Sequence, residues 1–152
     1  MWRALVLSIL GSLVLGGAPA RAACDSPADL LAVANTRNLA EQQCTCELAV
    51  NHGDYVRCVA RVANGEVQHQ RLDRFCRRPV VKCAAKSTCG RPPGQFPCCR
   101  TDRFGTTRCK VRLPDQCRAG LAGTACQSLT KASCCDACIG ASCASPSGAF
   151  LD

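Results

Sequence analysis

The chain has 152 residues, 16 of them cysteine, and carries 19 Lys and Arg against 11 Asp and Glu, for a formal net charge of +8. That length allows one domain or two small ones, and cysteine at this density marks a disulfide scaffold rather than a reduced cytosolic protein. Aromatic residues make up 4 % and the single Trp is Trp2, which argues against base stacking and so against a nucleic-acid partner.

In chain order, "MWRALVLSILGSLVLGGAPARAAC" opens with one basic residue, an apolar run from Ala4 to about Leu15, and then small residues. Ala20-Arg21-Ala22 fits the small-x-small pattern of a signal-peptidase site, so residues 1–22 are expected to be a signal peptide cleaved before Ala23. The apolar run is shorter than the roughly 20 residues a spanning helix needs. No transmembrane segment is therefore expected after signal removal, and the location is secreted or periplasmic. Arg21 stands three before Cys24, where lipoprotein processing wants a leucine-like residue. Lipidation of Cys24 would also leave an odd number of cysteines.

After the cut, Leu, Val, Ile and Phe supply 23 of 130 residues, below the roughly 20 % at which chains tend to disorder. Such a chain needs cross-links to restrict its unfolded state. All sixteen cysteines are expected in disulfides: Cys24, Cys44, Cys46, Cys58, Cys76, Cys83, Cys89, Cys98, Cys99, Cys109, Cys117, Cys126, Cys134, Cys135, Cys138 and Cys143. Their number allows on the order of two million pairings.

Residues 23–90 read as a helical cysteine-rich module. Ser26 caps a first helix with Pro27 at its first position and Asp29 three on, and this helix should fade near Asn35 to Asn38. A second helix follows Asn51-His52-Gly53. Asp54, Arg57 and Arg61 fall on one stripe and Tyr55, Val56, Val59, Val62 and Ala63 on the opposite side, with Cys58 at the border and Gly65 as the stop. Leu72, Phe75 and Cys76 at i, i+3, i+4 predict a third short helix. Pro79 then starts a fourth, with Val80, Cys83 and Ala84 on one side and Gly90 as terminator.

Residues 91–95 are a Pro/Gly linker, and 96–143 form a second cysteine-rich module. Two short segments flank "TDRFG" as a β-hairpin with Gly105 in the turn. The rest of it predicts irregular loops tied by disulfides, and residues 144–152 a mobile tail. The expected fold class is thus small and disulfide-rich, with short α-helices first and a hairpin and loops after.

Two patterns invite chemistry. Cys44, Cys46, His52 and Cys58 could ligate zinc, but ligation needs thiolates that an oxidising compartment removes. Cys135-Asp136-Ala137-Cys138 has redox spacing but lies in a cysteine-dense loop, without the strand-helix setting such sites need. His52 is read as a turn residue bonding the exposed helix-start amides or an adjacent backbone group. No catalytic, cofactor or metal residue is assigned, and no cofactor is expected. The densest basic cluster, Arg71, Arg74, Arg77, Arg78 and Lys82, is either a solvated face or a site for an anionic surface or polymer.

"CTCELAVNHGDYVRCVARV", "KCAAKSTCG", "CCRTDRFGTTRC" and "ACQSLTKASCCDAC" occur in that order. Together they resemble a group of uncharacterised, exported, cysteine-rich proteins of environmental bacteria, over Cys44 to Cys138. N-H-G-x-Y-V-x-C-V-A, Asn51 to Ala60, is the most specific part. This chain departs from the pattern at "GRPPGQFPCC", where its linker is longer, and Cys24 and Cys143 lie outside the matching region. The resemblance implies export and a cysteine framework and carries over no catalytic residue. The expected function is a non-catalytic binding or structural module, ahead of a small extracellular enzyme or inhibitor and of a metal-binding or redox protein.

Overall fold

The computed structural model describes residues 24–140, 142 and 143; the expected signal peptide and tail lie outside these residues. The fold is a small disulfide-rich one, with helices first and an antiparallel sheet after.

Helix α1 spans Pro27–Gln43. Ser26 caps it as expected, its side chain accepting from the Asp29 amide at 3.1 Å. The helix does not fade at Asn35. Thr36 and Ala40 are buried one turn apart, the Thr36 hydroxyl donates to the Ala32 carbonyl at 2.8 Å, and Arg37 pairs with Asp136. Tertiary contacts carry the helix through residues of weak propensity. Helix α2 spans His52–Gln68, and Asn51 is its cap, accepting from the Asp54 amide at 2.9 Å. Tyr55, Val59 and Ala63 are buried on the face read from the sequence.

Gly65 does not stop α2. The stop is Gln70, at φ +58, in a Schellman arrangement: its amide donates to the Val67 carbonyl at 3.1 Å, and the Arg71 amide to the Glu66 carbonyl at 2.9 Å. The helix expected at Leu72–Cys76 is also absent. Leu72 and Cys76 are buried, but Phe75 is 55 % exposed, and the Asp73 carboxylate accepts from the Phe75 amide at 2.8 Å, making a turn. A single helix, α3, follows at Arg77–Ala85. Pro79 sits in its first turn, where a missing N–H costs nothing.

In the second half, β1 (Phe96–Thr101) pairs antiparallel with β2 (Thr107–Arg112). Gly105 takes φ +80 in the turn, and the Asp102 carboxylate accepts from the Phe104 and Thr106 amides at 2.9 and 3.0 Å. The rest is more ordered than the expected loops. Strand β3 (Thr124–Gln127) joins the other edge of β1, giving the order β2-β1-β3. A one-turn helix α4 (Cys134–Ala137) leads into a two-residue ladder of β4 (Cys138–Ile139) and β5 (Ser142–Cys143). These pieces are too short and polar to leave a periodic signal.

All sixteen cysteines pair, with Cα atoms 4.7–5.8 Å apart, inside the usual disulfide range. Cys24–Cys76, Cys44–Cys58 and Cys46–Cys89 tie the helices. Cys98–Cys117, Cys99–Cys138, Cys109–Cys134 and Cys126–Cys143 tie the sheet and its return segment. Cys83–Cys135 joins the halves. Around it the Ser133 hydroxyl donates to the Cys83 carbonyl at 3.0 Å, and the Cys134 amide to the Lys86 carbonyl at 3.0 Å.

The core is small. Among side chains less than 2 % exposed, the largest is Val80, and Cys76, Cys98 and Cys99 are in the same group. Each disulfide typically contributes about 2–4 kcal/mol against a net domain stability of about 5–15 kcal/mol, so reduction should unfold the chain. Amide exchange before and after reduction at neutral pH checks this. We expect protection across residues 96–143 to vanish, with residual helix confined to the α2 region; a sheet that stays protected would mean that packing alone holds it.

Candidate functional site

The zinc reading does not survive the pairing. Cys44 is joined to Cys58, and Cys46 to Cys89, so no thiolate remains beside His52. Cys135 and Cys138 belong to different disulfides and are not a redox pair. Sulfurs do crowd under the sheet, where the Cys99 Sγ lies within 4.8 Å of those of Cys126 and Cys143, and also of Cys109 and Cys138. Every one of these atoms is spent in a disulfide.

His52 does not play the local turn role expected of it: it is the first residue of α2 and its ring reaches backbone carbonyls more than 30 residues away. Its Nδ1 lies 2.9 Å from the Cys89 carbonyl, and Nη2 of Arg91 lies 2.9 Å from its Nε2. Nη2 also donates to the Ala85 carbonyl at 3.3 Å. The Nδ1–H tautomer satisfies the two shorter contacts, donating to Cys89 and accepting from Arg91 at Nε2, and the Ala85 carbonyl, 3.2 Å from Nε2, takes its donor from Arg91. The ring pins the 85–91 segment against the start of α2. Gly90 completes the contact. It has φ +68, and a Cβ there would stand 2.4 Å from the Asn51 carbonyl carbon.

The basic cluster is dispersed. Arg71 pairs with Glu66, Nε and Nη2 donating to its carboxylate at 2.8 and 2.6 Å. This bond holds the Glu66 carboxyl below the usual carboxylate range. Arg74 stacks over the Phe75 ring at 4.6 Å, and Arg77 donates to the Asn64 side chain. Arg78 and Lys82 remain as exposed cations one turn apart on α3.

A denser cationic surface forms elsewhere. Adjacent strand residues face opposite ways, so the Cys98-Cys99 pair divides the sheet. Cys99 and its ladder partners Cys109 and Cys126 bond to Cys138, Cys134 and Cys143 on one face. The other face carries Arg100 opposite Arg108, Lys110 opposite Cys98, and Arg112 opposite Phe96. Arg100, Arg108, Lys110 and Arg112 line a concavity of about 350 Å³, closed at one side by Gly120 and Leu121.

The one acid among its described lining residues, Asp102, is engaged by the turn amides. Among the described residues no ion pair reaches the four cations. The buried Arg112 Nε–H finds no acceptor among the described residues, an arrangement that costs about 1–3 kcal/mol. Like charges directly opposite, as at Arg100 and Arg108, also destabilise a ladder. This arrangement suits a ligand bearing several oxyanions, since guanidinium forks bind carboxylate, sulfate and phosphate groups in pairs. Density along the chain pointed to Arg71–Lys82 instead. The signal that would have found this face is alternation: Arg108, Lys110 and Arg112 have period two, and the hairpin register adds Arg100.

A second cavity, of about 520 Å³, lies between α1, α2 and the 130–136 segment. Arg37, Glu41, Glu47, Lys131 and Asp136 line it with mixed charge. Tyr55 opens on it, its phenol pushed up by burial and by Glu41.

The chain matches no protein-family model, no curated protein and no solved structure.

His52→Asn should fold with all disulfides formed but lose about 1–3 kcal/mol, because the Cys89 carbonyl loses its donor. Gly90→Ala should cost a similar amount or more, through its positive φ and the Asn51 contact. Urea midpoints with unchanged slopes check both. A neutral His52→Asn would mean that the ring bonds do not hold the segment.

Proposed function

We propose that this is an exported, disulfide-stabilised binding module, bacterial and secreted or periplasmic, that takes an anionic ligand on the open face of its sheet. The observation that carries the reading is a set of four cations lining one concavity, none of which meets an ion-pair partner among the described residues. Export is supported by the apolar leader with its small-x-small site and by eight disulfides, which fit an oxidising environment. Among the described residues no helix is long and apolar enough to cross a membrane. A binding role is favoured over catalysis because the features that invited chemistry have other work: the cysteines are cross-links and the His52 ring holds backbone.

The test is retention on immobilised dextran sulfate as a function of salt. The parent should bind at low salt and elute as screening rises. Arg108→Glu with Lys110→Glu should weaken binding by about tenfold or more, that is, about 1.4 kcal/mol or more. Arg78→Glu with Lys82→Glu on α3 should change it little. Equal losses from both pairs would reduce the effect to net charge, and a greater loss from the α3 pair would move the site there. The mass of the exported protein should also correspond to a start at Ala23 with all sixteen thiols oxidised; one labelled thiol would reopen metal and redox readings.

A further inference from the structure

The cationic face does not end in a polar rim. At the turn end of the hairpin Phe104 is 78 % exposed, and Leu121, on the concavity wall, is fully exposed. These are large apolar side chains on a protein whose core contains few of them. Both tips are held in place. Phe104 stands between Asp102 and Thr106, which line the concavity, and the Asp102 carboxylate fixes its amide at 2.9 Å. The Arg103 guanidinium stacks on its ring at 4.7 Å. Leu121 rides on a loop pressed against the same end of β1. A Cβ on Gly123 would meet the Thr101 carbonyl oxygen at 2.4 Å, and the Gly123 amide donates to the Gly120 carbonyl at 3.1 Å. Ala122, between them, is held at φ +54.

We infer that this end of the sheet docks on an anionic lipid bilayer, with Phe104 and Leu121 entering the headgroup–acyl boundary, Arg100, Arg103 and Arg108 meeting lipid phosphates, and Lys110 and Arg112 standing farther back. The inference rests on the anion-binding reading above and names the ligand. The geometry matches the depth of an interface. The Arg100–Arg108 pair lies one step inside the last ladder pair, Thr101–Thr107. At about 3.4 Å per residue, Lys110 stands about 7 Å and Arg112 about 14 Å beyond Arg108. The cations nearest the tips thus sit among headgroups when the tips lie about 5–10 Å deep, and those behind lie within a Debye length or two of the surface. A soluble polyanion would use the cations but has no use for two exposed apolar tips. Nucleic acid would call for a series of stacking platforms, whereas the described lining residues include no aromatic ring and Phe104 stands alone at the rim.

The experiment compares co-sedimentation of the oxidised, exported protein with phosphatidylcholine vesicles lacking or containing phosphatidylglycerol. Dextran sulfate retention is measured in parallel. Phe104→Ser, outside the concavity lining, should lower partitioning onto phosphatidylglycerol vesicles by at least about tenfold while leaving dextran sulfate retention intact, and adding Leu121→Ser should lower partitioning further. Arg108→Glu with Lys110→Glu should lower both. Phe104→Trp should give an emission component, read as the difference from the parent, that shifts to the blue and escapes aqueous quenchers when these vesicles are added.

Circular dichroism and a count of free thiols confirm that each variant folds; the altered side chains are exposed. Binding to dextran sulfate without vesicle binding would overturn the membrane inference and leave the anion-binding reading standing. Vesicle binding indifferent to Phe104 and Leu121 would overturn insertion. Loss of neither ligand in the Arg108/Lys110 variant would overturn both readings.

Discussion

The fold depends on a geometric property of neighbouring cysteines: two adjacent side chains cannot point the same way. In β1, Cys98 and Cys99 face opposite sides of the sheet, so one disulfide reaches Cys117 across the open face and the other reaches Cys138 beneath. On the one-turn helix α4, Cys134 turns to Cys109 in the sheet and Cys135 to Cys83 in the helical half. Each pair is a branch point. The second is also where the halves meet, supported by the Arg37–Asp136 ion pair and the Ser87–Ser133 bridge. A segment of four helical residues, far below the length at which a helix holds itself, keeps its place because two covalent bonds leave it in different directions.

This division of labour explains where the apolar residues are. Sulfur fills the space under the sheet that Leu or Phe would fill in a conventional core, with Cys99 only 1 % exposed, and Cys98 is as deeply buried on the opposite face. The helical half keeps a modest hydrophobic cluster around Tyr55, Val59, Leu72 and Val80. Large apolar side chains are then available for the surface, and Leu48, Phe104, Leu121 and Leu129 are all more than two thirds exposed.

The sequence was legible where a local rule and the tertiary structure agree. The Ser26 cap, the buried face of α2 and the Gly105 turn are of this kind. It misled where a local signal was overruled. Gly65 has the right chemistry for a helix stop, yet Glu66 lies one residue beyond it, buried and bonded to Arg71, and the helix must continue to place it. Leu72, Phe75 and Cys76 have helical spacing, but the Asp73 side chain offers the backbone a competing turn. Strand β3 left no trace because its four residues are ordered by the edge of β1 and by Cys126, not by their own pattern. The cysteine framework as a class was readable from counts alone, whereas its connectivity depends on contacts up to 52 residues apart in sequence. The cationic face was the least visible, because its charges come from two strands and converge only through the register.

That face also shows what a covalent frame permits. Arg100 stands opposite Arg108, and the buried Arg112 Nε finds no acceptor among the described residues; both features work against the folded sheet. In a protein held by packing alone, such a surface would compete directly with a marginal net stability. Here the strand that carries Arg100 is bonded through Cys98 and Cys99, and the one that carries Arg108 and Lys110 through Cys109. Repulsion on the open face is opposed by cross-links that leave β1 on both sides and β2 from beneath. The disulfides therefore do more than compensate for a small core. They let an unfavourable concentration of positive charge persist in water, in a fixed arrangement.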